Sequence, residues 1–175
     1  MRYFSGFCFD GEEELFEPWL LKNDFSVAGF SYGSIQAFEY VLTCKHRVDA
    51  LQLFSPAFFQ NRDAKFKKLQ TLSFAKNTKE YCEQFLKSVA YPLSYSLESY
   101  FKKGTSEELD MLLNYVWDVK KLQELQQKGV HIEVYLGEFD AIIDASTCRD
   151  FFLPFATVYY IKNAGHILKI CGEKI

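Results

Sequence analysis

The feature that most limits what this chain can fold into is a compact apolar run at residues 25–30 that ends inside Gly29-Phe30-Ser31-Tyr32-Gly33. A helical pattern follows over residues 34–43, with Ile35, Phe38 and Leu42 near one face. A glycine two residues before and another two after a serine, at a strand-to-helix junction, describe a sharp turn with the hydroxyl at its tip. The glycines remove side chains where backbone segments crowd. An ordinary Gly-Ser turn has the same letters, so the strand before and the helix after carry the distinction.

Strand signals recur on both sides of this junction. A very short one lies at residues 2–5, a second apolar run at 48–54, and two more at 132–136 and 156–161. Between residues 11 and 22, Leu15, Phe16, Trp19 and Leu20 fall at helical spacing, with Asp10 placed to cap that helix. Residues 57–128 differ: several helical patterns, few strand signals, and breaks near Asn77, Pro92 and Gly104. Alternating strands and helices imply an α/β fold with a mostly parallel sheet covered by helices. With 175 residues the chain suits one domain. The block 57–128 is then expected as a helical cap inserted over the carboxyl ends of the strands, where open α/β sheets bind ligands.

A serine hydroxyl needs a base, an acid to orient that base, and donors for the oxyanion. The chain holds three histidines. His46 lies in the charged loop Cys44-Lys45-His46-Arg47, and His131 opens a strand. His166 follows the last apolar run in Asn163-Ala164-Gly165-His166, a small-residue loop that lets an imidazole reach across the sheet edge. His166 is therefore the candidate base. The acid is expected after a strand and between serine and histidine. Asp140, in Gly137-Glu138-Phe139-Asp140, is favoured over Asp144, and either also suits a helix cap. The backbone N–H of Tyr32, next to the serine, and that of Phe7, after the first strand, are the expected oxyanion donors. Cys8 is set aside as a nucleophile, because no histidine neighbours it in sequence.

Charge and cysteine usage exclude other classes. The net charge of −3 leaves no global field for nucleic acid. No apolar run is long enough to span a bilayer, and the first residues do not resemble a secretory signal. Five scattered cysteines without metal-ligand spacing are expected as reduced thiols in a cytoplasmic protein. Residues 57–87 hold seven basic side chains against three acidic ones. That excess fits either a solvated helix face or a docking patch for an acidic partner. The interleaved Phe58, Phe59, Phe66, Phe74, Tyr81 and Phe85 fit either plain core or the wall of an acyl channel.

In chain order, Ser5-Gly6-Phe7-Cys8-Phe9-Asp10, Gly29-Phe30-Ser31-Tyr32-Gly33, Arg47-Val48-Asp49-Ala50-Leu51, Ser55-Pro56, residues 137–140 and Gly165-His166 resemble the α/β-hydrolases. More narrowly, the chain is similar to compact pimeloyl-[acyl-carrier protein] methyl ester esterases of biotin biosynthesis. The resemblance implies a serine esterase with no metal or organic cofactor, which removes the methyl group from the far end of a carrier-bound pimeloyl chain. It also implies an acidic acyl-carrier protein as partner, with Arg62, Lys65, Lys67 and Lys68 as candidate contacts. Two departures stand out. Ser5-Gly6 replaces the His-Gly of many relatives, and the chain begins at what would be the third strand of a full sheet. Another acyl hydrolase, thioesterase or general carboxylesterase, and a catalytically silent binding protein on the same fold are the rival expectations.

Overall fold

The structure, a computed structural model, describes residues 1–170. Five strands, β1 (Arg2–Phe4), β2 (Ser26–Phe30), β3 (Ala50–Phe54), β4 (His131–Gly137) and β5 (Thr157–Ile161), form one sheet in the order β1-β2-β3-β4-β5. Every neighbouring pair is parallel. Parallel strands need crossovers: α1 (Tyr32–Thr43) joins β2 to β3 and α6 (Ala145–Phe152) joins β4 to β5, while the crossover from β1 to β2 holds only a 3₁₀ turn. Strands β2 and β3 are buried along their whole length. Burial on both faces is why they read as continuous apolar runs rather than as alternation.

Alternate side chains feed two cores. Leu51, Leu53, Val134 and Leu136 pack with Ile35 and Phe38 of α1 and Phe152 of α6. Their neighbours Phe54 and Tyr135 point the other way, toward Phe16 and Phe30. There the rings form a row across the sheet, with Phe16–Phe54, Phe54–Tyr135 and Tyr135–Tyr159 centroids 4.7, 4.8 and 4.6 Å apart. The one polar side chain in the middle of β3, Gln52, is fully engaged. Its amide N–H groups donate to Trp19 O and Glu133, each at 2.8 Å, and its carbonyl accepts from Leu21 N–H at 2.8 Å.

The block 57–128 holds α2 (Ala64–Lys76), α3 (Thr78–Ala90), α4 (Ser106–Asn114) and α5 (Val119–Gln127). Helix α2 packs on α3 and α4, whereas α5 packs on α1 and β4 as the last leg of the crossover from β3. Of the expected breaks, Asn77 caps α3, Pro92 follows the end of α3, and Gly104 precedes Thr105, which closes a capping box with Glu108 on α4; Asp63 caps α2.

The helix expected over residues 11–22 is not formed. A 3₁₀ turn covers Glu12–Phe16 only, and it is preceded by Gly11 at φ 74° rather than capped by Asp10. Pro18 gives the reason: it has no N–H to offer the carbonyl four residues back, and its ring clashes there. Among the described residues, no helix is long and apolar enough to cross a membrane. Cys8, Cys44, Cys82 and Cys148 are free thiols, and Cys171 lies outside the described residues.

Candidate active site

Ser31 stands between β2 and α1 at φ 52°, a left-handed conformation that costs a non-glycine residue energy. Its surroundings hold it there. Ser31 N–H donates to Phe54 O at 2.9 Å, and Ser31 O accepts from Ser34 N–H and Ala57 N–H, each at 3.1 Å. The two flanking glycines are required by space. A Cβ on Gly29 would lie 2.2 Å from Gly33 O, and one on Gly33 would lie 2.0 Å from Phe4 O. Helix α1 can thus start flush against the ends of β1 and β2.

His166 Nε2 lies 3.0 Å from Ser31 Oγ, and His166 Nδ1 lies 2.6 Å from Asp140 Oδ2. The side chains of His166 and Asp140 have no exposed surface. A carboxylate only accepts, so Nδ1 carries the proton and Nε2 presents its lone pair to the serine hydroxyl. The second oxygen of Asp140 accepts from Ile142 N–H at 2.8 Å and Ile143 N–H at 3.1 Å, which fixes the carboxylate plane. The histidine loop is tied back by Ser55 Oγ, which donates to His166 O at 2.7 Å. Phe30 packs against the imidazole with ring centroids 5.0 Å apart.

Asp144, the competing acid, caps α6. Its carboxylate accepts from Thr147 N–H at 3.0 Å, Thr147 Oγ1 at 2.7 Å and Ser146 Oγ at 3.1 Å. Those bonds, the Thr147 hydroxyl first, hold it below the usual carboxylate range. His46 lies in an exposed loop, and His131 begins β4 at the opposite end from Gly137, where Nε2 lies 3.6 Å from Glu133.

The loop after β1 turns at Gly6, with Phe9 N–H donating to Gly6 O at 3.1 Å and Cys8 at φ 65°. Phe7 N–H meets no acceptor among the described residues. Tyr32, the first residue of α1, has no intrahelical acceptor for its N–H. Cys8 is buried with Sγ 3.4 Å from Cys82 Sγ, and burial followed by that contact pushes its thiol far above the ordinary range. Such a thiol is not a nucleophile at neutral pH.

Phe7 and Ser31 open into a cavity of about 290 Å³ whose other walls come from α2, α3, α4 and the Asp140 loop. Phe59, Phe66, Tyr81 and Phe85 line it, whereas Phe58 packs on Phe151 and Phe152, and Phe74 lies buried against Phe7 and Tyr81. The basic candidates separate likewise. Arg62 lines the cavity with its guanidinium 5.2 Å from the Phe66 ring centroid, while Lys65 and Lys68 are exposed on α2 and Lys67 is half-buried. One residue that sequence reasoning passed over is Glu12, in a run of three glutamates. Its carboxyl is fully buried and accepts from Gly6 N–H at 2.8 Å. Nothing in that acidic run distinguishes it from its solvated neighbours.

No protein-family model and no curated protein matches the sequence. Solved structures do resemble the fold. MenH from S. aureus is 14% identical at a TM-score of 0.56, covering 95% of this chain and 87% of its own. BioG from Haemophilus influenzae is 15% identical at 0.58, covering 94% and 87%. A carboxylesterase of the thaumarchaeon Nitrososphaera gargenis is 19% identical at 0.55, covering 81% and 57%. The chain thus spans little more than half the length of that carboxylesterase, and likewise of CesB and the naproxen esterase of Bacillus subtilis, of which it covers 53% each. The sheet and its helices have the α/β-hydrolase fold.

Proposed function

We propose that this protein is a serine carboxylesterase that hydrolyses the methyl ester of a pimeloyl chain carried on acyl-carrier protein, releasing methanol. The observation that carries the hydrolase reading is the unbroken Asp140–His166–Ser31 chain, at 2.6 and 3.0 Å, at the foot of an aromatic-walled cavity. His166 Nε2 takes the Ser31 proton as Oγ attacks the ester carbonyl, and Asp140 stabilises the imidazolium. Phe7 N–H and Tyr32 N–H receive the oxyanion. Collapse breaks the C–O bond to the methoxy group, which leaves as methanol with the proton from His166. Water then gives its proton to His166 and attacks the acyl-serine. The carboxylate departs, and Oγ is reprotonated. All these roles fall to protein groups.

The α2–α4 part of block 57–128 is the cap in this reading. An apolar acyl chain suits the cavity. The carrier suits the outer face of α2, where Lys65, Lys68, Leu69, Leu72 and Lys76 recur at helical spacing on one side. Leu69 and Leu72 are 58% and 56% exposed between those lysines. A basic stripe with an apolar centre matches an acidic, amphipathic partner surface.

The test is hydrolysis of pimeloyl-carrier methyl ester, with a free short-chain ester as comparison and Ser31→Ala as control. Turnover of the carrier substrate well above that of the free ester, abolished by Ser31→Ala, is the expected result. Equal turnover of both leaves a general esterase or thioesterase. Failure of a fluorophosphonate to label the folded protein, or labelling that survives Ser31→Ala, rejects the hydrolase reading.

A further inference from the structure

The oxyanion loop begins at Gly6, where a side chain would have to displace the buried Phe30 ring. A Cβ there would lie 2.7 Å from the Phe30 ring. Glycine is also the residue that least restrains its own backbone, so the loop needs an anchor from elsewhere in the fold. Lys102 N–H donates to Cys8 O at 3.1 Å and Asp10 N–H to Tyr100 O at 2.9 Å, beyond Phe7, and two further contacts hold Gly6 itself. Gly6 O accepts from Phe9 N–H at 3.1 Å, and Gly6 N–H donates to Glu12 Oε1 at 2.8 Å. In a planar trans peptide the C=O and N–H point in opposite directions. With Gly6 O held inside the turn, Phe7 N–H, the other end of the same peptide unit, is aimed out of it. Glu12 secures the preceding peptide unit, and Tyr3 OH donates to the same Oε1 at 3.3 Å.

Glu12 itself is an expensive residue to place here. It has no exposed surface, and its Oε2 is buried without a hydrogen-bond partner among the described residues. Its two donors, Gly6 N–H and Tyr3 OH, both meet Oε1, so burial of the second oxygen carries a desolvation cost that no hydrogen bond offsets. Its neighbours Glu13 and Glu14 are not buried. Burial raises the Glu12 carboxyl above the usual range, against the opposing pull of Gly6 N–H, and so favours the neutral form.

We propose that Glu12 is a positioning residue for catalysis: it clamps Gly6 so that Phe7 N–H stays aimed at the oxyanion formed on the Ser31 adduct. This rests on the hydrolase reading of the site. The clamp acts on the transition state and not on the acyl chain, so its loss falls on kcat and leaves KM nearly unchanged.

The experiment compares Glu12→Ala and Glu12→Gln with the wild type. It uses steady-state kinetics on a p-nitrophenyl ester well below the melting temperature, and amide hydrogen exchange at Gly6. Glu12→Ala is expected to lower kcat about 10- to 100-fold with KM within about twofold. Its Gly6 amide should exchange at least about tenfold faster, while the Leu51 and Leu53 amides stay protected. Glu12→Gln keeps a side-chain oxygen that can accept from Gly6 N–H in nearly the same shape, so it should recover kcat to within about fivefold of wild type. Should Glu12→Ala fail to fold, the Gln variant and wild-type Gly6 protection still decide. An unprotected Gly6 amide in the wild type overturns the proposal, as does a Gln variant as slow as the Ala variant is expected to be. A Glu12→Ala enzyme with undiminished kcat also overturns it. A wild type that neither turns over esters nor reacts with a fluorophosphonate rejects the hydrolase reading instead, and the exchange measurement then stands alone as the test of the clamp.

Discussion

Around Ser31, Asp140 and His166 the backbone is held by directional hydrogen bonds, whereas α2, α3 and α4 meet the same cavity largely through rings and aliphatic side chains. On the strand side, Phe54 O, Ile142 N–H, Ile143 N–H and Ser55 Oγ each hold one member of the set. Helices α2 and α3 meet the loop after β1 through the Phe7–Phe74, Phe7–Phe85 and Phe9–Phe85 ring pairs and the Cys8–Cys82 sulfur contact, while the segment between α3 and α4 adds two backbone hydrogen bonds, Lys102 N–H to Cys8 O at 3.1 Å and Asp10 N–H to Tyr100 O at 2.9 Å. Hydrogen bonds weaken steeply with angle and distance. Apolar contacts tolerate sliding and exchange of similar volumes. In the proposed esterase, the strand side would hold the reacting groups in place, and the helical side would accommodate the acyl chain.

Substitutions that separate the two sides should differ in kind as well as in size. The largest effect is expected from Gly33→Ala. Its Cβ would lie 2.0 Å from Phe4 O, a backbone atom that cannot swing away, so the start of α1 and the end of β1 cannot both keep their places. A loss of more than about 4 kcal/mol, read as a collapse of the melting transition or as insoluble protein, is expected. A soluble Gly33→Ala protein with wild-type melting would show that the strand side is not rigid.

Next comes Asp140→Asn, which preserves shape but removes the acceptor that selects the His166 tautomer. A fall in kcat of about 10³- to 10⁴-fold, with melting nearly unchanged, is expected on a simple ester. Reversing charge at Lys65, Lys67 and Lys68 together probes the other side. It should lower kcat/KM on carrier-linked ester by about tenfold or more, with a weaker effect at high salt, and leave free short esters alone. Equal losses on both substrates would count against docking on α2.

The smallest effect belongs to Asp144→Ala, the control for Asp140. Losing an N-cap costs about 1 kcal/mol, a shift of about 2–4 °C in melting temperature at this chain length. Esterase activity should stay within about twofold of wild type. Because its hydrogen bonds depress the Asp144 carboxyl, its cap contribution is present above the unfolded value near pH 4 and fades as pH falls through the lower folded value. The difference in stability between wild type and Asp144→Ala should therefore shrink in acid. A large kcat loss in this variant would exchange the roles of the two aspartates.

Strands β2 and β3 were legible because each is an apolar run buried on both faces, whereas the edge strands β1 and β5 are only half-buried and show through aromatic and β-branched residues instead. The helix expected at residues 11–22 was misread because apolar spacing was given more weight than Pro18. The sequence favoured Asp140 over Asp144 only by its nearness to the strand end, since both accept backbone N–H groups two or three residues ahead. What separates them is which carboxylate oxygen remains free to meet His166. Glu12 was illegible for a related reason: in a run of acids, burial depends on what folds over the residue.

The sequence by itself determined the turn at Ser31, the parallel α/β arrangement, and the shortlist of one serine, one well-placed histidine and two acids. These depend on neighbours along the chain, where spacing and steric volume act directly. Only the tertiary structure decided that Asp140 faces His166 across 26 residues of chain, and that His166 faces Ser31 across 135. Only it separated Arg62 in the cavity from the lysines outside, and placed Glu12 beneath Gly6. Those pairings arise where strand ends and loops converge at one sheet edge, and that convergence is set by register and packing of the whole domain.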